Sequence, residues 1–448
     1  MIYLRAISRI SFLIFFLFFS SCITVFSDDA QVHNYNVQNF GAVGNGLVDD
    51  ADAIMACVNN AIAKSNGTVR IPPGTYYIGK PLIFNHIKSK VPLQIVATGA
   101  TITTNRQIRH FLYFKKCSPG TSLEIDGLQI KGKDKLSEIN RLFDGNVFTW
   151  ALTVKSCNNI TVKNCSFENI YGGGIHIYAP KFKTASKIIK GSNILIENNL
   201  LSNVIGFKPT KYFENGKLRR HDHYGDGIYI SGGAGGIIRN NDIINNVNST
   251  KHLGRGGIVL EYYTANYTVD NNRIQGYDRA IHVESSIGGH KITKNQIERN
   301  STGIIISAKG PTVGNYQSKP LEISDNQISS GQLPSKIKTL TRPSALLFFY
   351  GTSKKYENSV IRNNLFMATR KMNLNNYILL IQQAKLSFVD NEIVGSIINK
   401  PNILLNRGAK KFNGNSLENL GQVISSKKIG NTIGNRGKSV RKSNISLK

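Results

Sequence analysis

The chain has 448 residues and carries 56 lysines and arginines against 27 aspartates and glutamates, which gives a formal net charge of +29. The basic residues are scattered without a helix-turn-helix, zinc or aromatic-plus-glycine motif, so the charge does not indicate a nucleic-acid-binding protein. Four cysteines in the body of the chain are too few for a disulfide scaffold and lack zinc-site spacing. We expect them to be buried apolar residues, with at most one chance disulfide among Cys57, Cys117, Cys157 and Cys165.

Residues 1–27 have the pattern of a secretory signal peptide. Two arginines precede an apolar run over residues 10–19, which is too short to span a bilayer and is followed by small residues. Cleavage after Ser27 would release a periplasmic or secreted protein, whereas a lipoprotein-type site would leave a lipid anchor on Cys22. No later segment has the length of a transmembrane helix. Outside the cytoplasm the common polyanions are acidic glycans, so we predict an acidic or mixed polysaccharide as the partner.

A short amphipathic helix is predicted after residue 50. Asp49 or Asp50 can cap its N-terminus. The apolar side chains share one stripe, which comprises Ile54, Cys57, Val58, Ala61 and Ile62. A Pro-Pro-Gly turn at residues 72–74 then leads into the following strands. We expect this helix to cap the end of a stack of coils and to have no part in the chemistry.

From residue 156 onward, a short phrase of apolar and polar residues recurs eight times, usually with Asn at its fourth position. The residues at that position are Cys165, Asn199, Asn241, Asn272, Asn295, Asn326, Asn364 and Asn391. Successive copies lie 23 to 42 residues apart, and a second apolar strand follows many of them. Strands at fixed offsets with loops of variable length are typical of a parallel β-helix. Asn suits the bend because it tolerates left-handed backbone angles and because stacked amides can bond to one another.

The first coils resemble the opening of the pectate-lyase-like superfamily, which includes rhamnogalacturonase-like and C5-epimerase-like enzymes. The resemblance rests on Tyr35-Asn-Val-Gln-Asn-Phe40-Gly-Ala-Val-Gly-Asn-Gly46 and on Gly67-Thr-Val-Arg-Ile71-Pro-Pro-Gly74-Thr-Tyr76. It implies an all-β fold: a single-stranded right-handed parallel β-helix, or solenoid, with an N-terminal capping helix. We place this domain at residues 35–412. A basic and flexible tail is predicted for residues 413–448.

In such a fold, equivalent outward residues of stacked strands form columns with a spacing of about 4.8 Å. One column is predicted to hold His176, Tyr229, Val259, His282 and Ile305, and the next to hold Tyr178, Ser231, Glu261, Glu284 and Ser307. Adjacent carboxylates repel unless a cation or a raised pKa relieves the repulsion, and Arg255 and Arg279 lie shortly ahead of the two glutamates. The pair suits a glycosidase acid and base or a cation site, so Ca²⁺ could be a cofactor. An exposed salt-bridge pair is the structural alternative.

Two further resemblances bear on the reaction. Gly225-Asp226-Gly-Ile228 resembles the segment of polygalacturonase-type hydrolases in which the Asp is catalytic, but the Asp-Asp pair and Gly-His-Gly segment of those enzymes are absent. The Asp-Pro-His signature of alginate epimerases is absent as well. The segments 255–261 and 281–284 resemble β-helix proteins of colanic-acid biosynthesis clusters, which implies a role in exopolysaccharide production or trimming.

The sequence therefore predicts an exported enzyme that cleaves an acidic or mixed exopolysaccharide. Hydrolysis is favoured because the predicted cluster is rich in carboxylates. A polysaccharide lyase or uronate C5-epimerase would instead need a base, an acid and a cation beside the uronate carboxylate. A non-catalytic glycan-binding or assembly scaffold would need aromatic and basic residues but no aligned acids. The predicted catalytic residues are Asp226, Glu261, Glu284, His282 and His223, and the predicted substrate-binding residues are Tyr224, Tyr229, Arg255, Arg279, Arg219, Arg220, His176 and Tyr178.

Overall fold

The computed structural model describes most of the chain as stacked coils. The described residues are 33–64, 67–88, 91–132, 148–179, 192–207, 210–214, 217–221, 225–307, 318–330, 344–350, 355–368, 377–382, 385–395, 402–405, 411–420 and 423–425. The predicted signal peptide, with Cys22, lies outside these residues, as does the chain after residue 425. In the described part of the chain, no helix is both long and apolar enough to cross a membrane.

Each coil contributes a strand to sheets 1 and 2, and every coil after the first also contributes to sheet 3. Sheet 1 comprises Asn34–Asn36, Gly67–Arg70, Leu93–Val96, Ser122–Asp126, Asn159–Lys163, Asn193–Glu197, Ala234–Arg239, Ala265–Asp270, Lys291–Thr293, Glu322–Ser324, Val360–Arg362, Ser387–Val389 and Lys411–Asn413. Sheet 2 comprises Asn45–Asp49, Gly74–Tyr77, Ala100–Thr103, Gln129–Lys131, Ser166–Tyr178, Leu200–Phe207, Asp242–Ile244, Arg273–Gln275, Gln296–Asn300, Gln327–Ser330, Leu365–Met367, Glu392–Val394 and Ser416–Glu418.

Sheet 3 follows sheet 2 in every coil after the first. It comprises Leu82–Asn85, His110–Lys115, Thr149–Lys155, the second half of Ser166–Tyr178, Asp226–Ser231, His252–Glu261, Tyr277–Glu284, Thr302–Ser307, Ala345–Tyr350, Tyr377–Ile381, Asn402–Leu405 and Val423–Ser425. The strand Ser166–Tyr178 runs through both sheets and joins them. An antiparallel hairpin of Thr210–Glu214 and Lys217–His221 is inserted in the sequence between the strands Leu200–Phe207 and Asp226–Ser231. The coils extend past residue 412, where the sequence prediction had ended them, because two more strands pair with the preceding coil.

Alternation of period two directs every second side chain of a strand into the core. In sheet 3, Ile228 pairs with Ile258 and Ile258 with Ile281, and none of these side chains has measurable exposure. Full burial of one such side chain is worth about 1.5–3 kcal/mol, so a column of them stabilises the stack at every level. The intervening residues of these strands point away from the core.

Asparagine side chains form a continuous ladder at the bend between sheets 1 and 2. Its members are Asn199, Asn241, Asn272, Asn295, Asn326, Asn364, Asn391 and Asn415. Each of the first seven side-chain amides donates to the side-chain oxygen of the next coil over 2.8–3.0 Å, and a carbonyl of the preceding coil accepts from the same nitrogen. Cys165 occupies the first position, where only its backbone N–H joins the ladder.

The ladder asparagines do not themselves adopt the left-handed backbone angles that the sequence prediction assigned to them. The left-handed backbone angle belongs to the residue before each ladder position, for example Asn271 with φ of 52° and Lys294 with φ of 56°. The ladder asparagine itself serves the buried hydrogen bonds. Two adjacent residues thus divide the functions that the sequence prediction had assigned to one.

The capping helix α1 spans Ala51–Ala63 and is confirmed. The Asp49 carboxylate accepts from the Ala51 N–H, whereas the Asp50 carboxylate accepts from the N–H groups of Val43 and Gly44 in the preceding loop. Asp49 is therefore the side chain that caps the helix. Of the predicted stripe, Ile62 is partly exposed and the other four residues are buried. The helix packs on the first strands of sheets 1 and 3 and closes that end of the core.

The cysteines divide into two pairs. Cys57 and Cys165 are buried free thiols, and burial raises the pKa of each to about 12. Cys117 and Cys157 form a disulfide across a sequence separation of 40 residues, at the turns of two neighbouring coils. The expectation of four buried apolar cysteines thus holds for two of them, and the chance disulfide is present.

Candidate functional site

The two predicted columns on the outward face of sheet 3 are present. His176, Tyr229, Val259, His282 and Ile305 pair in succession, and so do Tyr178, Ser231, Glu261, Glu284 and Ser307. The coil that separates the two glutamates has 23 residues and no long insertion, which fixes this register. The prediction that Glu261 and Glu284 occupy adjacent rungs is confirmed.

Glu261, His282 and Glu284 form a compact cluster. One ligand-type atom from each residue lies within 4.8 Å of the other two. His282 Nδ1 is 3.8 Å from Glu261 Oε1, and His282 Nε2 is 3.4 Å from Glu284 Oε2. Glu261 and His282 are buried, whereas 38% of the Glu284 side chain is exposed. The cluster therefore has a buried end and an end that faces solvent.

Glu261 has a strongly perturbed carboxyl group. Burial raises its pKa from 4.5 to about 7, and the charges of Asp226 and Glu284 act in the same direction. The Arg255 charge and a 3.0 Å hydrogen bond from the Tyr229 hydroxyl oppose this rise. Glu261 therefore keeps its proton to a higher pH than an ordinary glutamate does, which suits a group that must donate a proton.

His282 is held neutral. Burial lowers its pKa well below 6.5, and the Arg279 and Arg255 charges add to the effect. The Arg279 guanidinium donates to His282 Nδ1 over 3.1 Å, so the ring proton belongs on Nε2. Within the described residues this buried Nε2–H has no hydrogen-bond acceptor of good geometry, although it faces Glu284. It faces the carboxylate of the partly exposed Glu284.

The same geometry bears on a metal. Glu261, His282 and Glu284 supply the atoms that could hold a cation. The proton on His282 Nε2 blocks the nitrogen that faces Glu284, and two guanidinium groups oppose a second positive charge nearby. Ca²⁺ also prefers six to eight oxygen ligands. The residues fit a calcium ion poorly, so we derive no step through one.

Asp226 lies one rung before Gly256 and beside the cluster. Its carboxylate has no exposed surface and accepts two hydrogen bonds from Arg255, one of them 2.8 Å long. Gly256 makes room for this pair, because a Cβ at that position would lie 3.0 Å from Asp226 Oδ1 and 2.4 Å from the Val259 side chain. The pair places a fixed guanidinium next to the Glu261 carboxyl group.

Aromatic rings continue the site toward the N-terminus. His176 stacks on Tyr229 with ring centroids 5.1 Å apart, and the partly exposed Tyr178 packs against both. Burial lowers the pKa of His176 to about 4, so its ring is neutral at physiological pH. These residues were predicted to bind substrate, and the structure brings them next to the carboxylate cluster.

Four predicted residues are less well placed by the structure. Arg219 and Arg220 belong to the strand Lys217–His221 of the hairpin, and their side chains lie outside what the structure describes. His223 and Tyr224 lie outside the described residues. Sequence reasoning also missed Arg109, His110, Tyr113 and Trp150, which belong to the same face three to four coils before Glu261. The alternating aromatic residues of segment 110–115 were the available signal, but they precede the first copy of the Asn phrase.

Comparison with known proteins agrees with this architecture. Residues 34–209 match the family model described as rhamnogalacturonase A/epimerase, pectate lyase-like, and residues 181–318 match a right-handed β-helix region. The resemblance to pectate-lyase-like right-handed β-helix proteins is confirmed. A similar solved structure, the Agl-KA catalytic domain, has a TM-score of 0.52 at 18% identity and covers 86% of this chain and 65% of that chain. At that identity the likeness concerns the fold alone.

The curated relatives include mannuronan C5-epimerases of Azotobacter vinelandii. AlgE1 is 24% identical over 239 residues, which cover 51% of this chain and 16% of AlgE1. AlgE6 is 49% identical over 45 residues, which cover 10% of this chain and 5% of AlgE6. The chain thus spans a small part of the length of these relatives. The match to colanic-acid-cluster proteins stays a prediction.

Proposed function

We propose that this protein is a polysaccharide-active enzyme that hydrolyses an acidic or mixed glycan on the face of sheet 3. The observation that carries the proposal is the pair of unlike carboxyl groups: a buried Glu261 with a pKa of about 7 and a more exposed Glu284, with oxygen atoms within 4.8 Å. Two carboxyl groups whose environments differ are the usual means of providing an acid and a base in one glycosidase site.

In the proposed reaction, Glu261 donates its proton to the glycosidic oxygen as the bond to the anomeric carbon breaks. Glu284 attacks that carbon as the nucleophile, and Glu261 then removes a proton from the water that releases the sugar. Retaining glycosidases place their carboxyl groups about 5–5.5 Å apart, against about 6.5–9.5 Å in inverting ones. The close approach of Glu261 and Glu284 favours retention of configuration.

The surrounding residues are assigned positioning and binding roles. Tyr229 orients the Glu261 carboxyl group through its hydroxyl, and Arg279 fixes the tautomer of His282. The Nε2–H of His282 then faces Glu284 and can orient its carboxylate. Asp226 was predicted to be catalytic, but both of its oxygens are bound by Arg255 in a fully buried position. We therefore assign Asp226 to hold Arg255 in place instead of reacting with substrate.

A second candidate reaction is proton abstraction at C5 of a uronate, which leads to β-elimination or epimerisation. The observation in its favour is the similarity of 239 residues to a mannuronan C5-epimerase. Arg279 would then neutralise the uronate carboxylate, Glu284 would take the proton, and Glu261 would supply the acid. The same cluster serves both reactions, so product analysis must separate them.

The test uses the wild-type protein with Glu261→Gln, Glu284→Gln and the control Glu392→Gln, an exposed glutamate of sheet 2. Polyuronates and mixed exopolysaccharides are incubated with each protein. New reducing ends without absorbance near ~235 nm indicate hydrolysis, rising absorbance indicates elimination, and deuterium uptake at C5 without cleavage indicates epimerisation. We expect reducing ends that both cluster variants abolish and the control keeps. Binding without any reaction would support the scaffold and refute the enzyme.

A further inference from the structure

Sheet 3 carries a second group of conspicuous side chains on the N-terminal side of the carboxyl cluster. The strands His110–Lys115 and Thr149–Lys155 stack in register with the strands of the cluster. Tyr113 belongs to the column of His176 and Tyr229, and Lys115 and Lys155 belong to the column of Glu261 and Glu284. We call Arg109, His110, Tyr113, Lys115, Trp150 and Lys155 the N-terminal tract.

The rings of the tract form a continuous aromatic row. His110 stacks on Tyr113 at 4.6 Å and on Trp150 at 5.4 Å between ring centroids. Trp150 meets His176 edge-on at 6.2 Å, and His176 stacks on Tyr229. His110 and Tyr113 are partly exposed. The row thus reaches from the Glu261 hydrogen-bond partner to the surface three coils away.

Cations accompany this row. Lys115 Nζ lies 5.1 Å from the centre of the Tyr113 ring, and Arg109 Cζ lies 5.5 Å from that of Trp150. Lys155 is exposed beside them. In the part of the chain that the structure describes, Lys115 and Lys155 have no carboxylate partner. Aromatic faces that stack on sugar rings, combined with cations that bind carboxylates, match the chemistry of an acidic glycan.

We propose that the N-terminal tract binds anionic sugars of the same polymer whose reacting bond lies at Glu261 and Glu284; this rests on the proposed function. Lys155 is three strands from Glu261, or about 14 Å, and Lys115 is four strands away, or about 19 Å. A sugar in an extended chain advances by a distance similar to the strand spacing. The lysines therefore meet carboxylates on the third and fourth sugars from the reacting one, and the substrate needs at least four sugars on this side.

The test measures binding of polygalacturonate and of alginate by calorimetry at low and high salt. The double variant Lys115→Ala/Lys155→Ala is compared with Lys291→Ala/Lys411→Ala, which removes the same charge from exposed positions of sheet 1. We expect the tract variant to bind about tenfold more weakly at low salt and the control to change less than about twofold. Tyr113→Ala should weaken binding at high salt too, because stacking is not screened.

Oligouronates of two to six sugars complete the test, with Glu261→Gln as the host so that any reaction is slow during the measurement. Affinity should rise with each added sugar until the oligouronate reaches Lys115. In the double variant, the increases that come from reaching Lys155 and Lys115 should be absent. Equal losses in tract and control variants, or no binding of either polyuronate, would overturn the inference. Normal hydrolysis with unaltered binding in the tract variant would refute the inference alone. Weakened binding without reaction on any glycan would refute the proposed function alone.

Discussion

Replacing Glu261 with Gln should reduce activity and, at alkaline pH, increase stability. The substitution keeps the size of the side chain and an oxygen for the Tyr229 hydroxyl but removes the titrating proton. Loss of a general acid lowers the rate by a factor of ~10² or more. The wild-type rate should fall as pH rises above about 7, because Glu261 loses its proton there. The residual activity of the variant should lack this transition.

The effect on stability follows from the same group. A rise of the Glu261 pKa from 4.5 to about 7 means that the folded state binds this proton more tightly than the unfolded state. Between these two pH values the wild-type protein loses about 3 kcal/mol of unfolding free energy as pH rises, since the buried carboxylate must ionise. Glutamine does not ionise, so the variant escapes this loss. The variant's free energy of unfolding minus that of the wild type should therefore be about 3 kcal/mol larger at pH 8 than at pH 4.

Denaturant unfolding at pH 4 and pH 8 measures the difference in unfolding free energy between variant and wild type at each pH. The control Glu392→Gln corrects for a general charge effect. The fold should be intact by circular dichroism in all three proteins. If the difference between variant and wild type were the same at the two pH values, the pKa of Glu261 would not be raised in the folded protein. The acid role assigned to it would then be wrong.

Three further substitutions test neighbouring parts of the structure. Tyr229→Phe removes a hydrogen bond that lowers the pKa of Glu261, so the alkaline limb of the pH–rate profile should move to higher pH; an unmoved limb would contradict this. Asn272→Ala leaves buried ladder groups without hydrogen-bond partners and should lower the free energy of unfolding, measured with denaturant, by about 3 kcal/mol. The exposed Asn271→Ala should lower it by less. Cys117→Ser opens the disulfide and should cost up to about 4 kcal/mol, with a melting temperature that no longer responds to reductant.

The sequence was sufficient for the fold and for the carboxylate pair because both depend on register. The coil between Glu261 and Glu284 has 23 residues, so counting along the strands places the two side chains on adjacent rungs. The Asn phrase marks the same bend in each coil, and Asn415 extends the series by one further member. Where coil lengths are regular, position along the chain translates directly into position on the sheet.

Contacts that cross rungs could not be obtained in this way. The hydrogen bond from Tyr229 to Glu261 and the ion pair of Arg255 with Asp226 depend on side-chain reach and on the space left by Gly256. The N-terminal tract was missed because no Asn phrase fixes the register of its coils. Burial of Glu261, which raises its pKa, depends on the packing of the surrounding chain and has no local signature.

The asparagine ladder also separates the construction of the solenoid from the length of its loops. Consecutive ladder members are 42, 31, 23, 31, 38, 27 and 24 residues apart, yet their amide contacts stay between 2.8 and 3.0 Å. Lengthening a closed loop over this range changes its entropy by only about 0.5 kcal/mol. Loops between coils can therefore be exchanged, shortened or extended between two fixed asparagines with little thermodynamic penalty. The scaffold is suited to evolutionary or engineered changes of specificity by loop replacement, with the backbone stack as a constant frame.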